Sequence, residues 1–158
     1  MKKFIIPIIA LYVILFVLSP ARAADMPKAT AKDKCPVCGM FITKYPDWTC
    51  AVVFKDGSRA FFDGAKDMFK YIFDLKRYNP SKKPADAESI WVFDYYAISP
   101  INARTAWYVV GSDIYGPMGR ELIPFEKESG AREFLRDHKG RKILKFSEIT
   151  PEIIKTLD

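Results

Sequence analysis

The pattern of hydrophobic and polar positions changes its period several times along the chain, and each change marks a predicted element. Short runs of β-branched and aromatic residues predict strands, whereas apolar residues spaced three and four apart predict helices. In the first half these patterns predict two strands, a helix and a third strand, at residues 49–54, 58–62, 65–75 and 89–95. The Asp56-Gly57 turn signal makes the first two strands a hairpin, and Asp63 suits the N-cap of the helix.

The second half of the chain repeats that order of elements. It predicts strand, strand, helix and strand, then a short terminal helix, at residues 106–110, 121–125, 127–137, 141–146 and 150–157. Its hairpin differs from the first because a glycine-rich insertion, GSDIYGPMGR at 111–120, separates the two strands. A long loop in a repeat whose other connections are short more often has a functional role than a purely structural one.

These patterns predict an α+β fold with two β-β-α-β units in tandem. We place the first unit at residues 34–96 and the second at 106–146, within one domain that spans 34–158. Segment 24–33 is small, charged and proline-containing, and we interpret it as a flexible leader.

Residues 1–23 have the layout of an export signal peptide. Two lysines give a positive start, residues 4–18 form an apolar run, and Ala21-Arg22-Ala23 has the small-x-small pattern of a signal-peptidase site. As a helix the apolar run would rise about 22 Å, less than the roughly 30 Å of a bilayer's hydrocarbon core, so a retained membrane anchor is the weaker interpretation. We predict cleavage after Ala23 and export to the periplasm. Since no cysteine lies at the cleavage site, we predict no stable lipid anchor.

The charge of the chain argues against one large class of function. The full sequence carries a net charge of +6, and removal of residues 1–23 takes away three basic residues and no acidic one, which leaves +3. So small an excess, with lysines and arginines scattered among acidic and aromatic residues, does not indicate a nucleic-acid-binding surface.

The stretch KCPVCGM at residues 34–40 carries the most specific chemistry. A Cys-Pro-x-Cys pair can be a thiol-disulfide exchange centre. Such centres normally begin a helix after a buried strand, because the helix N-terminus lowers the thiolate pKa, whereas here a polar leader precedes the pair of Cys35 and Cys38. The pair can also be half of a zinc site, but the other half must then come from Cys50, in a predicted strand, and His138, at the end of a predicted helix.

A soft monovalent metal, Cu(I) above all, is the third interpretation. Thiolate and thioether ligands select Cu(I), which accepts two or three of them. Cys38 and Met40 place both ligand types around a glycine, and the Gly-Pro-Met-Gly loop at 116–119 offers Met118 as another exposed sulfur. Two alternatives stay open, since Met118 could instead cover the core and Met40 could lie in a buried segment.

Taken in order, these motifs resemble the NosL family of nitrous oxide reductase accessory proteins, which are periplasmic copper-binding proteins. The resemblance runs from Cys35 to about Glu148 and consists of CPVCGM at 35–40, FFDGAKDMFKY at 61–71, YVVGSDIYGPMGRELIPF at 108–125 and a closing helix and strand. It implies a fold similar to that of organomercury lyase, in agreement with the tandem units. Members often have Phe-Asp-Asp and a cysteine before the helical methionine, where this chain has Phe62-Asp63-Gly64 and Asp67-Met68.

The resemblance also implies Cu(I) delivery to the copper-sulfide centre of nitrous oxide reductase, with Cys38 and Met118 as ligands. We therefore predict an exported copper metallochaperone and not an enzyme, with Cys35 and Met40 as candidates for a further ligand. Its partners would be a copper-accepting enzyme, nitrous oxide reductase or another cuproprotein, and a membrane copper-delivery complex. The alternative function is a thiol-disulfide oxidoreductase that uses Cys35 and Cys38, whereas a lyase for carbon-metal bonds would rest on fold analogy alone.

Overall fold

The structure, a computed structural model, describes residues 25–158. In chain order its strands are β1 (Cys50–Phe54), β2 (Arg59–Phe62), β3 (Ala87–Asp94), β4 (Ser99–Asn102), β5 (Trp107–Val110), β6 (Tyr115–Gly116), β7 (Gly119–Arg120), β8 (Ile123–Phe125) and β9 (Lys142–Lys145). Its α-helices are α1 (Ala65–Phe73), α2 (Leu75–Tyr78), α3 (Glu128–Asp137) and α4 (Pro151–Lys155). Single 3-10 turns lie at Ile42–Lys44, Pro46–Trp48, Pro84–Asp86 and Phe146–Glu148.

Two antiparallel sheets carry most of these strands. The first has the order β2-β1-β3-β4 and the second the order β8-β5-β9, while β6 and β7 form a separate two-stranded ribbon. In the first sheet β1 pairs with its hairpin partner β2 and with β3, which follows the helices α1 and α2. In the second sheet β5 pairs in the same way with β8 and with β9, which follows α3. This shared order supports the prediction of two β-β-α-β units.

The structure differs from the prediction at the end of the first helix and in one additional strand. The helix predicted to continue to residue 75 ends at Phe73, because Asp74 leaves the helical conformation and its carboxylate accepts the Arg77 N–H at 3.2 Å, which starts α2. Strand β4 was not predicted. It contains Pro100, and it lies at an edge of the sheet, where a residue without an N–H is tolerated.

The prediction that Asp63 caps the first helix is wrong. Gly64 occupies the N-cap position and offers no side chain, and the carboxylate of Glu121 accepts the backbone N–H of Lys66 instead. A Cβ at Gly64 would collide with that carboxylate. Because Glu121 is turned toward α1, the strand predicted from residue 121 begins only at Ile123.

The larger hydrophobic core is shared between the two halves of the chain. Phe69 of α1 packs edge-on against Tyr108 of β5, with ring centroids 5.6 Å apart, and Leu144 of β9 belongs to the same buried cluster. Met68, which the helical pattern places on the apolar face, is fully buried. A smaller cluster around Phe134 fills the space under α3. Helix α1 is therefore packed against both sheets, and its first turn lies close to the loop between β5 and β8.

Two predictions concern the N-terminal part of the chain. The signal peptide at residues 1–23 lies outside the described residues. Residues 25–33 of the predicted leader form no helix or strand, and Met26 and Ala29 pack against the larger core. Across residues 25–158, no helix combines the length and the apolar character needed to cross a membrane.

Candidate metal centre

The CPVCGM motif folds into a closed turn. An antiparallel bridge joins Lys34 to Phe41, the Cys35 N–H donates to the Met40 carbonyl at 2.9 Å, and the Gly39 N–H donates to the Cys35 carbonyl at 2.9 Å. Gly39 has a φ of 79°, a conformation that costs glycine little and other residues more. The glycine thus closes the turn and leaves both cysteine sulfurs near each other.

Two carboxylates complete a cluster with these thiols. The Cys38 thiol donates to Asp63 Oδ1 at 3.1 Å, and the Cys35 thiol donates to Asp67 Oδ2 at 3.4 Å. One ligand atom from each of the four residues lies within 4.8 Å of the other three. Asp63 follows β2 and Asp67 lies in the first turn of α1, so the fold brings the start of this helix against the cysteine turn.

One oxygen of the cluster has no hydrogen-bond partner among the described residues. Asp63 Oδ2 is buried and unpaired, and the residue as a whole is 1% exposed. Burying a carboxylate oxygen without a donor is costly, which favours a bound cation or a donor brought in by a ligand. The site therefore fits a metal ion on an observation that is independent of the cysteines.

Burial keeps both thiols protonated in the metal-free protein. It raises the pKa of Cys35 to about 12, although backbone hydrogen bonds from Cys38 and Val37 favour the thiolate. Burial and the neighbouring carboxylates also raise the pKa of Cys38. A thiol-disulfide exchange centre needs the opposite, a thiolate stabilised at neutral pH. The arrangement therefore disfavours the oxidoreductase alternative.

An open cavity of about 810 Å³ lies beside the cysteine turn, and it joins the two distant sequence motifs. Its wall includes Cys38, Asp67, Lys66 and Met118, with parts of α2 and α4. Met118 lies at the tip of the β6-β7 ribbon, before Gly119, which has a φ of 88°. At 42% exposure Met118 does not cover the core, and the residue is open to the cavity that it lines.

The other two predicted ligands, Cys35 and Met40, do not line the cavity. Cys35 is buried beside Cys38, within the cluster but away from the cavity wall. Met40 is half-buried and supplies its carbonyl to the cysteine turn, and it is not among the described residues that line the cavity. Its role as a ligand stays a prediction.

The sequence analysis missed both carboxylates. Asp63 was interpreted as a helix cap, and Asp67 only as the residue where relatives often have cysteine. Their spacing of four residues, which brings side chains to one side of a helix start, was the available signal. The zinc interpretation sought its second half in Cys50 and His138, yet neither belongs to the cluster, and two carboxylates occupy that place.

A cluster of two thiols and two carboxylates lies beside an open cavity whose wall also includes an exposed methionine, and this arrangement, in a mixed α+β fold, is that of a candidate metal-binding protein. The chain belongs to the NosL family, whose sequence profile matches residues 26–154. This confirms the family predicted from the motifs.

Two relatives illustrate the relationship. The chain is 31% identical over 136 residues to the copper-binding lipoprotein NosL of Stutzerimonas stutzeri, a match that covers 78% of this chain and 65% of that protein, slightly less than two thirds. The crystal structure of the copper chaperone NosL from Shewanella denitrificans matches with a TM-score of 0.69 and 27% identity over 81% of this chain and 97% of the other. The predicted α+β class is confirmed, and the description of the Shewanella protein as a copper chaperone agrees with the prediction of a carrier rather than an enzyme.

The Stutzerimonas relative is described as a lipoprotein. The predicted lack of a lipid anchor in this chain concerns residues before the described part, and it stays a prediction.

Proposed function

We propose that this protein is an exported copper carrier that holds Cu(I) through the Cys38 and Cys35 thiolates and the Met118 thioether. The observation that carries the proposal is that Cys38 and Met118, 80 positions apart in the sequence, line the same cavity. Membership of the NosL family supports copper as the cargo.

The donor types support the monovalent ion. Thiolate and thioether sulfurs are the ligands that Cu(I) prefers, and carboxylate oxygens suit harder ions. We therefore assign metal binding to the sulfurs. Asp63 and Asp67 accept the thiol hydrogen bonds in the metal-free protein, and the Asp63 carboxylate, with its unpaired Oδ2, would remain as a negative neighbour of the bound cation. Zn(II) would use the cluster differently, because it accepts two thiolates and two carboxylates in a tetrahedron.

Ligand exchange is the mechanism that such a site would use. The cavity opens to solvent beside Cys38 and Met118, so a sulfur or imidazole of an acceptor can reach the ion before the carrier's own ligands leave. A three-sulfur site leaves room for the incoming ligand, and transfer then needs no free copper. The exposed thioether, a neutral ligand, would leave first.

A competition titration tests the metal and the donor set together. The reduced protein should bind about one Cu(I) per chain against a Cu(I) chelator and should bind Zn(II) much more weakly. Replacing both Asp63 and Asp67 by asparagine is the matched control, since it should weaken Zn(II) binding more than Cu(I) binding. Zinc that competes as well as copper, or an asparagine variant that loses Cu(I) as completely as Cys38→Ser, would refute the sulfur-only ligand set.

We infer that the acceptor is a cuproenzyme of the periplasm, and the motifs shared with NosL proteins favour the copper-sulfide centre of nitrous oxide reductase. A membrane copper-delivery complex would load the site. Copper transfer from the loaded protein to metal-free reductase should be faster than transfer from a small chelator complex of equal affinity. If the chelator delivers copper equally well, another cuproprotein becomes the acceptor to test.

We further infer that the fold consists of two related β-β-α-β units, as in organomercury lyase. The order of β2, β1 and β3 in the first sheet corresponds to the order of β8, β5 and β9 in the second, which supports this inference, although the first sheet has β4 as an additional edge strand. The arrangement has a functional consequence, because the cysteine turn precedes the first unit and Met118 lies in the hairpin of the second. Packing of the units against each other then assembles the site.

A further inference from the structure

A buried lysine lies between the parts of the chain that form the site. Lys66 is 3% exposed, and its ammonium donates to the Met118 carbonyl at 2.8 Å and to the Leu157 carbonyl at 3.1 Å. The Asp158 carboxylate lies 3.7 Å from the same Nζ. One side chain of α1 thus holds both the Met118 loop and the residues that follow α4.

Protein stability alone does not explain why the Lys66 ammonium is buried. Removing an ammonium from water costs several kcal/mol, and apolar replacements of buried ion pairs are often neutral or stabilising. A lysine in the first turn of a helix can normally extend its charge into solvent. Here the charge is directed to a backbone carbonyl beside the metal cavity, whose wall includes Lys66 itself.

The β6-β7 ribbon is short, and its strands pair through Tyr115 with Arg120 and Gly116 with Gly119. Lys66 connects the tip of the ribbon to the turn of α1 that also contains Asp67, the acceptor of the Cys35 thiol. The Glu121 carboxylate connects the base of the ribbon to the same turn, because it accepts the Lys66 backbone N–H. The Lys66 ammonium is the contact of the two that acts on the Met118 residue itself.

We propose that Lys66 is a positioning residue that holds the Met118 loop against the two thiols, so that copper binding depends on its ammonium although the ammonium does not touch the metal. This inference rests on the proposed function, because it takes Met118 as a ligand.

A double-mutant cycle on the reduced, full-length mature protein tests the proposal. Cu(I) affinity is measured by chelator competition for the wild type, Lys66→Leu, Met118→Ala and the double variant, since leucine removes the ammonium without adding a sulfur near the metal. Lys66→Leu and Met118→Ala should each weaken binding by about tenfold or more, and the double variant should bind no more weakly than Met118→Ala. Lys70→Leu is the matched control, because Lys70 pairs with the same Asp158 and lies 3.9 Å from Asp67, whereas the Met118 carbonyl is held by Lys66.

A spectroscopic measurement separates positioning from general destabilisation. X-ray absorption at the copper edge should show one sulfur neighbour fewer in Lys66→Leu than in the wild type or in Lys70→Leu. A variant that was merely less stable would keep the wild-type sulfur count in its folded fraction, and this result would overturn the proposal.

The remaining outcomes distinguish this inference from the proposed function. If Met118→Ala weakens binding and Lys66→Leu does not, or if the two losses multiply, the role of Lys66 is refuted and the ligand set stands. If Met118→Ala binds copper like the wild type, the ligand set itself is wrong. If Lys66→Leu does not fold, Lys66→Arg takes its place in the cycle, since its longer fork keeps the charge but displaces the Met118 carbonyl, and the same coupling is expected.

Discussion

Replacing Glu121 by glutamine removes a buried ionisable group and keeps its shape. Glu121 is 3% exposed, and its Oε1 accepts the backbone N–H groups of Lys66 and, at 3.0 Å, of Leu122. Burial raises the pKa of Glu121 to about 8, although both hydrogen bonds favour the charged form. The unfolded chain exposes this carboxyl to water, where it titrates at its ordinary value of 4.5.

The size of the effect follows from the difference between these two pKa values. Between pH 4.5 and about 8 the folded protein retains a proton that the unfolded chain has released, so the free energy of unfolding falls as the pH rises through this window. At about 1.4 kcal/mol per pKa unit, the loss reaches at most about 5 kcal/mol. This is a large share of the roughly 5–15 kcal/mol that stabilises a typical domain.

Urea unfolding of the metal-free, reduced protein measures this loss. The wild type and Glu121→Gln should have similar stability at about pH 5, and the variant should become progressively more stable than the wild type up to about pH 9. All other groups titrate in both proteins, so the difference isolates Glu121. Glu133→Gln, on the exposed face of α3, controls for the loss of one surface carboxylate. A difference between wild type and Glu121→Gln that stays constant across this range would refute the reasoning.

Three further predictions concern the metal site. Copper should raise the melting temperature of the wild type by about 5 to 10 °C, and Met118→Ala should remove most of this rise. The melting temperature of the metal-free protein should hardly change, because this side chain is 42% exposed. A destabilised metal-free variant with intact copper binding would instead show that Met118 is a packing residue. Cys38→Ser should lose most of the Cu(I) affinity and Cys35→Ser less, whereas equal losses together with insulin reductase activity would favour the oxidoreductase. Since burial raises the pKa of both thiols, chelator competition should show Cu(I) affinity rising about tenfold per pH unit for each proton displaced.

The parts of the fold that local patterns determine could be predicted from the sequence. The apolar spacing around Met68 and Phe69 predicts the first residue of α1 correctly. The β-branched run predicts β1 with a start that differs from the observed one by a single residue. Strand β4 could not be predicted, because its hairpin depends on the Asp94 carboxylate, which accepts the N–H groups of Tyr96 and Ala97. Asp94 also accepts the Glu126 N–H from the second sheet at 2.7 Å, a contact between halves that no local pattern reveals.

The candidate site likewise has a part that the sequence predicts and a part that depends on contacts between distant residues. The cysteine turn is contiguous, so its chemistry could be interpreted from seven residues, and the glycines around Met118 indicated an exposed sulfur. The carboxylates could not be assigned, because Asp63 pairs with a thiol 25 positions away and Asp67 with one 32 positions away. Lys66 has the sequence context of an ordinary surface lysine, and its burial is created only when the two halves pack together.

The pairing of each thiol with a carboxylate suits a protein that must both hold and release copper. Without metal, the thiols are neutral and donate to Asp63 and Asp67, so the buried site carries no thiolate charge. Binding Cu(I) displaces the thiol protons, and the single positive charge of the ion offsets one of the two thiolate charges that form. Release reverses this exchange, because returning protons restore the neutral thiols and their hydrogen bonds. A copper affinity that does not change with pH would contradict this account.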